Sequence, residues 1–167
     1  MLEQGPSRNT VNMEWDKLWA ENKKVLDPIV PRYTCIGKNT SAKLTIENGP
    51  SPPEARMQPL HPKNAAVGMK SVIYGQNLLV EKEDVKDVKV GEKITLMKWG
   101  NITVTRIEQD KDSVQLFATV DEADQNFKKT KKITWICNDP ATTVEVVMNE
   151  FDHLITKPKV EENDDIE

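Results

Sequence analysis

Little in this sequence suits redox, metal or membrane chemistry. Its 167 residues include two cysteines and two histidines. Cys35 and Cys137 lie far apart with no C-x-x-C spacing, which argues against zinc and leaves two reduced, buried small hydrophobes as the expectation. His61 stands between Pro59 and Pro62, and His153 follows Phe151-Asp152. Neither has neighbours that would make an acid–base pair or a metal site, so structural or solvent-facing roles are expected. No run approaches the roughly 18 apolar residues of a membrane-spanning helix. The start, MLEQGPSRN, has neither the basic flank nor the apolar core of a signal peptide, so a cytosolic protein without membrane contact is expected. Phosphate-loop, dinucleotide-fold and nucleophile-elbow glycine patterns are all missing. Basic charge is not in excess either: 23 Lys and Arg against 27 Asp and Glu give −4. A nucleic-acid site would therefore be a local patch rather than a global field, and DNA is not an expected partner. Part of the acidity sits in Glu161–Glu167, expected to be a disordered tail.

With aromatics at 5%, the core must rest on Val, Ile and Leu, helped by four tryptophans. Trp15, Leu18, Trp19, Val25 and Leu26 recur at helical spacing, which predicts a helix over Val11 to Leu26 with Ser7 or Asn9 as cap and a buried apolar face. Asp27-Pro28 and Val30-Pro31 end it. The rest reads as short strands: Tyr33–Ile36, Ala42–Ile46, Met69–Tyr74, Asn77–Val80, Lys93–Met97, Asn101–Glu108, Ser113–Val120, Lys131–Cys137 and Thr143–Asn149. Strands at this spacing with turn residues between them predict a sandwich or barrel. Ile102 and Val104, and Val114, Leu116, Ala118 and Val120, alternate onto one core face, with Asp110-Lys111-Asp112 as a charged hairpin tip. Proline-rich Asn48–Pro62 reads as an irregular connection, and Glu81–Asp84 as a solvated turn.

Seven blocks, GPSRNTVNMEWDKLW, NKKVLDPIVPRYT, HPKN, VGMKSVIY, LMKWGNITVTRI, KKTKKITW and HLITKP, run in order along nearly the whole chain. In that order they resemble the eukaryotic and archaeal type of glutamyl-tRNA synthetase, including the glutamyl part of the bifunctional glutamyl-prolyl-tRNA synthetase. The paired tryptophans and NKKVLDP resemble the glutamyl more than the glutaminyl branch. The resemblance implies a mainly β fold, an antiparallel β-barrel of the class I glutamyl/glutaminyl anticodon-binding type preceded by a short helical segment. It implies the helical end of a catalytic body at 1–30, a barrel region at 31–160 and the acidic tail at 161–167. The implied parent enzyme uses ATP to attach glutamate to its tRNA. The HIGH-like and KMSKS-like motifs for that step are not in this sequence, so the chain is expected to be a piece of the parent with no catalytic residues and no cofactor of its own.

The implied partner is glutamate-specific tRNA, with other synthetases or translation factors as further candidates. Anticodon loops are read by stacking and by hydrogen bonds to splayed bases. By resemblance, Arg32 at the helix-to-barrel junction is a candidate base reader through its planar fork; pairing with a carboxylate is the competing reading. Lys98, Trp99, Asn101 and Arg106 mix charge, ring and amide on one hairpin. Trp99 there is either a stacking platform or a core residue at a bulge. Lys128, Lys129 and Lys131, with Lys132, form the densest basic run, either a phosphate contact or a solubility device.

Overall fold

A computed structural model of the chain describes residues 15–110, 113–124 and 126–150. The expected start of the first helix with its caps, part of the 110–112 hairpin tip, His153 and the acidic tail lie outside the described residues. The chain divides into two compact units, Pro31–Glu145 and Met1–Val30 with Val146–Glu167.

Among the described residues of the larger unit, nine strands form two sheets: β1 (Ser41–Ile46), β2 (Glu54–Pro59), β3 (Met69–Tyr74), β4 (Asn77–Glu81), β5 (Lys93–Leu96), β6 (Gly100–Gln109), β7 (Val114–Asp121), β8 (Lys131–Ile133) and β9 (Trp135–Cys137). Seven lie in one sheet in the order β8-β5-β6-β7-β1-β4-β9. Its two edge strands are consecutive in sequence and separated by Thr134 alone, with Leu96 opposite Ile133 on one edge and Val80 opposite Trp135 on the other. The two edges are thus covalently joined, and the sheet is a nearly closed barrel. Near-closure shortens the open edges that invite aggregation. The segment expected as one strand, Lys131–Cys137, is split because its halves pair with different neighbours.

Alternation fills the barrel. Leu44, Ile46, Leu78, Val80, Ile94, Leu96, Ile102, Val104, Leu116, Ala118 and Ile133 are all buried, and each larger aliphatic contributes about 1.5–3 kcal/mol by leaving water. A bulge between Val104 and Arg106 bends β6, so both core-facing ends of this ten-residue strand stay in register. Strands β2 and β3 form a separate ribbon, Glu54 opposite Tyr74 and Pro59 opposite Met69. It grows out of the chain between β1 and β4.

Several expectations need correction. Tyr33–Ile36 and Thr143–Asn149 are not strands. The proline-rich connection contains β2, because Pro59 ends that strand and its missing N–H breaks no interior ladder. Cys35 is exposed, since the segment that carries it runs over the surface; Cys137 is buried as expected. Lys82–Val85 form a short helix, α2 in chain order, and the Glu81 carboxylate before it accepts the Gly37 N–H at 2.7 Å and the Thr40 hydroxyl at 2.8 Å.

In the smaller unit, α1 spans Trp15–Leu26 and buries none of its residues. Asp27 N–H still donates to Lys23 C=O at 2.8 Å, after which Pro28 ends the helix. Trp15, Leu18, Trp19, Val25 and Leu26 are exposed. The expectation of a buried stripe is not met: these side chains are exposed, because an apolar helical period alone does not supply the surface that would cover it.

Candidate nucleic-acid interface

The β5–β6 connection, Met97 to Trp99, is held by three aromatic residues. Tyr74 donates its hydroxyl to Lys98 C=O at 2.9 Å, Trp135 donates Nε1–H to Met97 C=O at 3.0 Å, and Trp99 N–H closes on Leu96 C=O at 3.0 Å. The rings pack together, with Tyr74 4.8 Å from Trp99 and Trp99 4.9 Å from Trp135 between centroids. Trp99 is 8% exposed, and its Nε1–H donates to Glu122 at 2.9 Å. A ring so enclosed has no free face for a base, so the core reading of Trp99 is the one the geometry favours. Glu122 also accepts from Arg56 at 3.0 Å, and that bond, ahead of the one from Trp99, holds its carboxyl below the usual range despite partial burial.

The clamp fixes Lys98 at φ 64°, a left-handed conformation that only glycine adopts without cost. No described carboxylate pairs with its ammonium. Backbone strain that surrounding contacts enforce is a marker of functional positions. Lys98→Gly is expected to raise stability by about 1 kcal/mol in urea unfolding while weakening any polyanion the lysine contacts. A loss of stability would contradict the strain assignment.

Asn101 is 1% exposed and internally satisfied. It accepts from the Thr95 hydroxyl at 2.5 Å and donates to the carbonyls of Asp124 and Asn126 at 3.3 Å each. It anchors the segment after β7 and offers no free edge to a base. Asp124 nearby is held at about 2 by the Asn126 N–H, then by Lys93 and Asn101.

The basic candidates do not converge. Arg106 lies six residues beyond Gly100, about 20 Å along the strand, where its guanidinium covers the Phe117 ring at 3.9 Å and pairs with Glu108 at 3.0 Å. Lys131 donates to Asp84 C=O at 2.5 Å, and Lys128 and Lys129 are exposed before β8.

Arg32 and Lys98 are instead linked through Lys70 on β3, a residue sequence reasoning missed. Lys70 donates to Arg32 C=O at 2.6 Å, and its ammonium stands 5.3 Å from the centroid of Tyr33, a ring 76% exposed. Burial first, and then the charge of Lys98, pushes the Lys70 ammonium below its ordinary value. Arg32 N–H donates to Leu60 C=O at 2.9 Å, which pins the Arg32–Tyr33 pair to the outer end of the ribbon. Two crowded cations thus stand beside an exposed ring, the combination of charge and π-face on which unstacked bases and their phosphates are bound in general. A signal was present in the sequence: no Asp or Glu occurs between Asp27 and Glu47, between Glu54 and Glu81, or between Glu92 and Glu108. These three stretches supply Arg32, Lys70 and Lys98, in a chain of net charge −4.

A small barrel-like sheet carrying a ribbon with cations and an exposed ring is an architecture found among nucleic-acid-binding modules. Residues 30–121 match the family described as tRNA synthetases class I (E and Q), anti-codon binding domain, and the chain belongs to that family. It is 44% identical over its full length to the cytoplasmic glutamate-tRNA ligase of Saccharomyces cerevisiae, covering 23% of that protein. The cytoplasmic glutamate-tRNA ligase of Arabidopsis thaliana is 39% identical over 99% of the chain and 23% of the relative. The bifunctional glutamate/proline-tRNA ligase of Mus musculus is 38% identical over 97% of the chain and 11% of the relative. The chain therefore spans less than a quarter of these relatives. The barrel and the family that the sequence resemblance implied are both borne out.

Among the described residues no group of three or more His, Cys, Asp or Glu could hold a metal, and no helix is long and apolar enough to cross a membrane.

Proposed function

We propose that this chain is the anticodon-binding region of a glutamate-tRNA ligase, gripping the anticodon loop of glutamate tRNA while a catalytic domain elsewhere in the parent uses ATP to join glutamate to the tRNA. The observation that carries this reading is the Arg32–Tyr33–Lys70–Lys98 cluster on a family barrel. Lys70 and Lys98 neutralise backbone phosphates, Tyr33 stacks a base, and the fork of Arg32 reads an edge or a phosphate. Lys128 and Lys129 extend the contact as peripheral phosphate binders, whereas Arg106 and Lys131 have local partners and a lesser share. Residues 1–30 end the catalytic body, residues 31–160 carry the barrel region and residues 161–167 are an acidic tail. A cytoplasmic setting accords with the relatives' names.

A second reading, docking onto other synthetases or translation factors, is favoured by the exposed tryptophans of α1. The two readings separate in a titration of glutamate tRNA and a non-cognate tRNA at low and physiological salt. The anticodon reading expects cognate preference that Arg32→Ala erases. Equal, salt-independent binding of both tRNAs would sink it.

A further inference from the structure

Glu54, Arg56 and Gln58 alternate along β2 opposite Tyr74, Val72 and Lys70 on β3, so these side chains share one pleat face of the ribbon. Gln58 is thus the cross-strand neighbour of Lys70. Half-buried, it donates its Nε2–H to the Tyr74 hydroxyl, which in turn donates to Lys98 C=O at 2.9 Å. A tyrosine hydroxyl has a single proton. Because the Gln58 amide occupies a lone pair of that oxygen, the proton is directed to the Lys98 carbonyl. Tyr74 is 2% exposed, and burial pushes its hydroxyl above the ordinary value, so the proton stays on the oxygen at neutral pH.

The same face of the ribbon holds the ring in place. The Arg56 guanidinium lies 4.4 Å from the Tyr74 centroid, and it is fixed there by Glu54 and by Glu122, the latter at 3.0 Å. Glu122 also accepts the Trp99 Nε1–H at 2.9 Å. The ribbon therefore grips the β5–β6 connection at two points, the Lys98 carbonyl and the Trp99 indole. Between them Lys98 sits at φ 64°, and its charge is felt by Lys70. A non-glycine residue enters the left-handed region, and two ammonium groups crowd, only where other contacts enforce it. Cations held in this way are ordered before an anion arrives, which lowers the ordering cost of binding it.

We propose that Gln58 and Tyr74 are positioning residues for RNA binding: the Gln58 amide directs the Tyr74 hydroxyl onto Lys98 C=O, and this bond keeps the Lys98 ammonium beside Lys70 for one stretch of phosphate backbone. The inference rests on the RNA-binding reading above. Neither residue contacts the RNA; both act through Lys98.

The test titrates the 167-residue chain with a glutamate tRNA anticodon stem-loop over a range of salt, as a double-mutant cycle. Tyr74→Phe removes the hydroxyl and keeps the ring against Trp99 and Trp135. It is expected to bind about tenfold more weakly, the size of one hydrogen bond to a charged group. Its slope of log affinity against log salt should be shallower by about 0.7, the share of one single-strand phosphate. A purely structural loss would lower affinity without changing that slope. Gln58→Met leaves the aromatic cluster untouched and should cost about threefold. In a Lys98→Ala background neither substitution is expected to cost anything further, because the cation they place is gone. Equal losses with Lys98 present and absent would overturn the positioning role and leave the RNA-binding reading intact, as would native affinity and slope in Tyr74→Phe. Failure of the native chain to bind any stem-loop at low salt would overturn both.

Discussion

Trp99→Ala should cost the barrel about 3–5 kcal/mol, the range for removing a large aromatic side chain from a packed core. Trp99 touches both Tyr74 and Trp135, and it donates the Nε1–H bond to Glu122. Truncation abolishes both ring–ring interactions and leaves a void in the core beside them. The loss is a large share of the roughly 5–15 kcal/mol that holds a typical domain together. Urea unfolding followed by far-ultraviolet circular dichroism measures it. A loss under about 1 kcal/mol, the range of a surface change, would mean that the ring is not the keystone its burial indicates and would reopen the stacking reading. Trp99→Phe should recover part of the packing but not the bond to Glu122.

Lys70→Glu should lower affinity for an anticodon stem-loop by tenfold or more, a loss of at least about 1.4 kcal/mol. The substitution does more than delete one phosphate-binding cation. It places a carboxylate beside Lys98, whose charge Lys70 already feels, and so neutralises a second cation of the cluster. The slope of log affinity against log salt should become shallower by about 0.7 for each single-strand phosphate that is no longer neutralised. Lys131→Glu is the matched control. Its ammonium is engaged with Asp84 beside β8, and reversal there should change binding little. Equal losses at the two positions would mean that binding follows net charge and not the ribbon site.

The barrel was legible because a buried barrel strand alternates strictly, and β1, β4, β5, β6 and β7 all bury aliphatic residues at alternate positions. β2 was hidden for the opposite reason: it lies in a ribbon outside the barrel, where Arg56 and Gln58 face one way and Met57 the other, so it has no apolar period to read. The split at Thr134 was equally invisible, because a change of neighbour leaves no mark on alternation. In the candidate site, Arg32 and Lys98 were singled out by resemblance, whereas Trp99 and Asn101 were not separable by residue type from surface readers; burial shows that both pack within the barrel. Lys70 and Tyr33 were missed because a basic run draws attention to clustered lysines, whereas this cluster is assembled from three carboxylate-free stretches that meet only in the fold. For α1, the stripe of Trp15, Leu18 and Trp19 was read correctly as helical, but periodicity says that a face is apolar and not what covers it.

RNA binding by this barrel turns on which of its faces meets the ligand. Backbone amide shifts of the labelled chain on adding a glutamate anticodon stem-loop at low salt answer this directly. The largest shifts should fall on Arg32, Tyr33, Lys70 and the Met97–Trp99 turn. Shifts concentrated on Arg106 and Lys131, with the ribbon unchanged, would contradict the ribbon site.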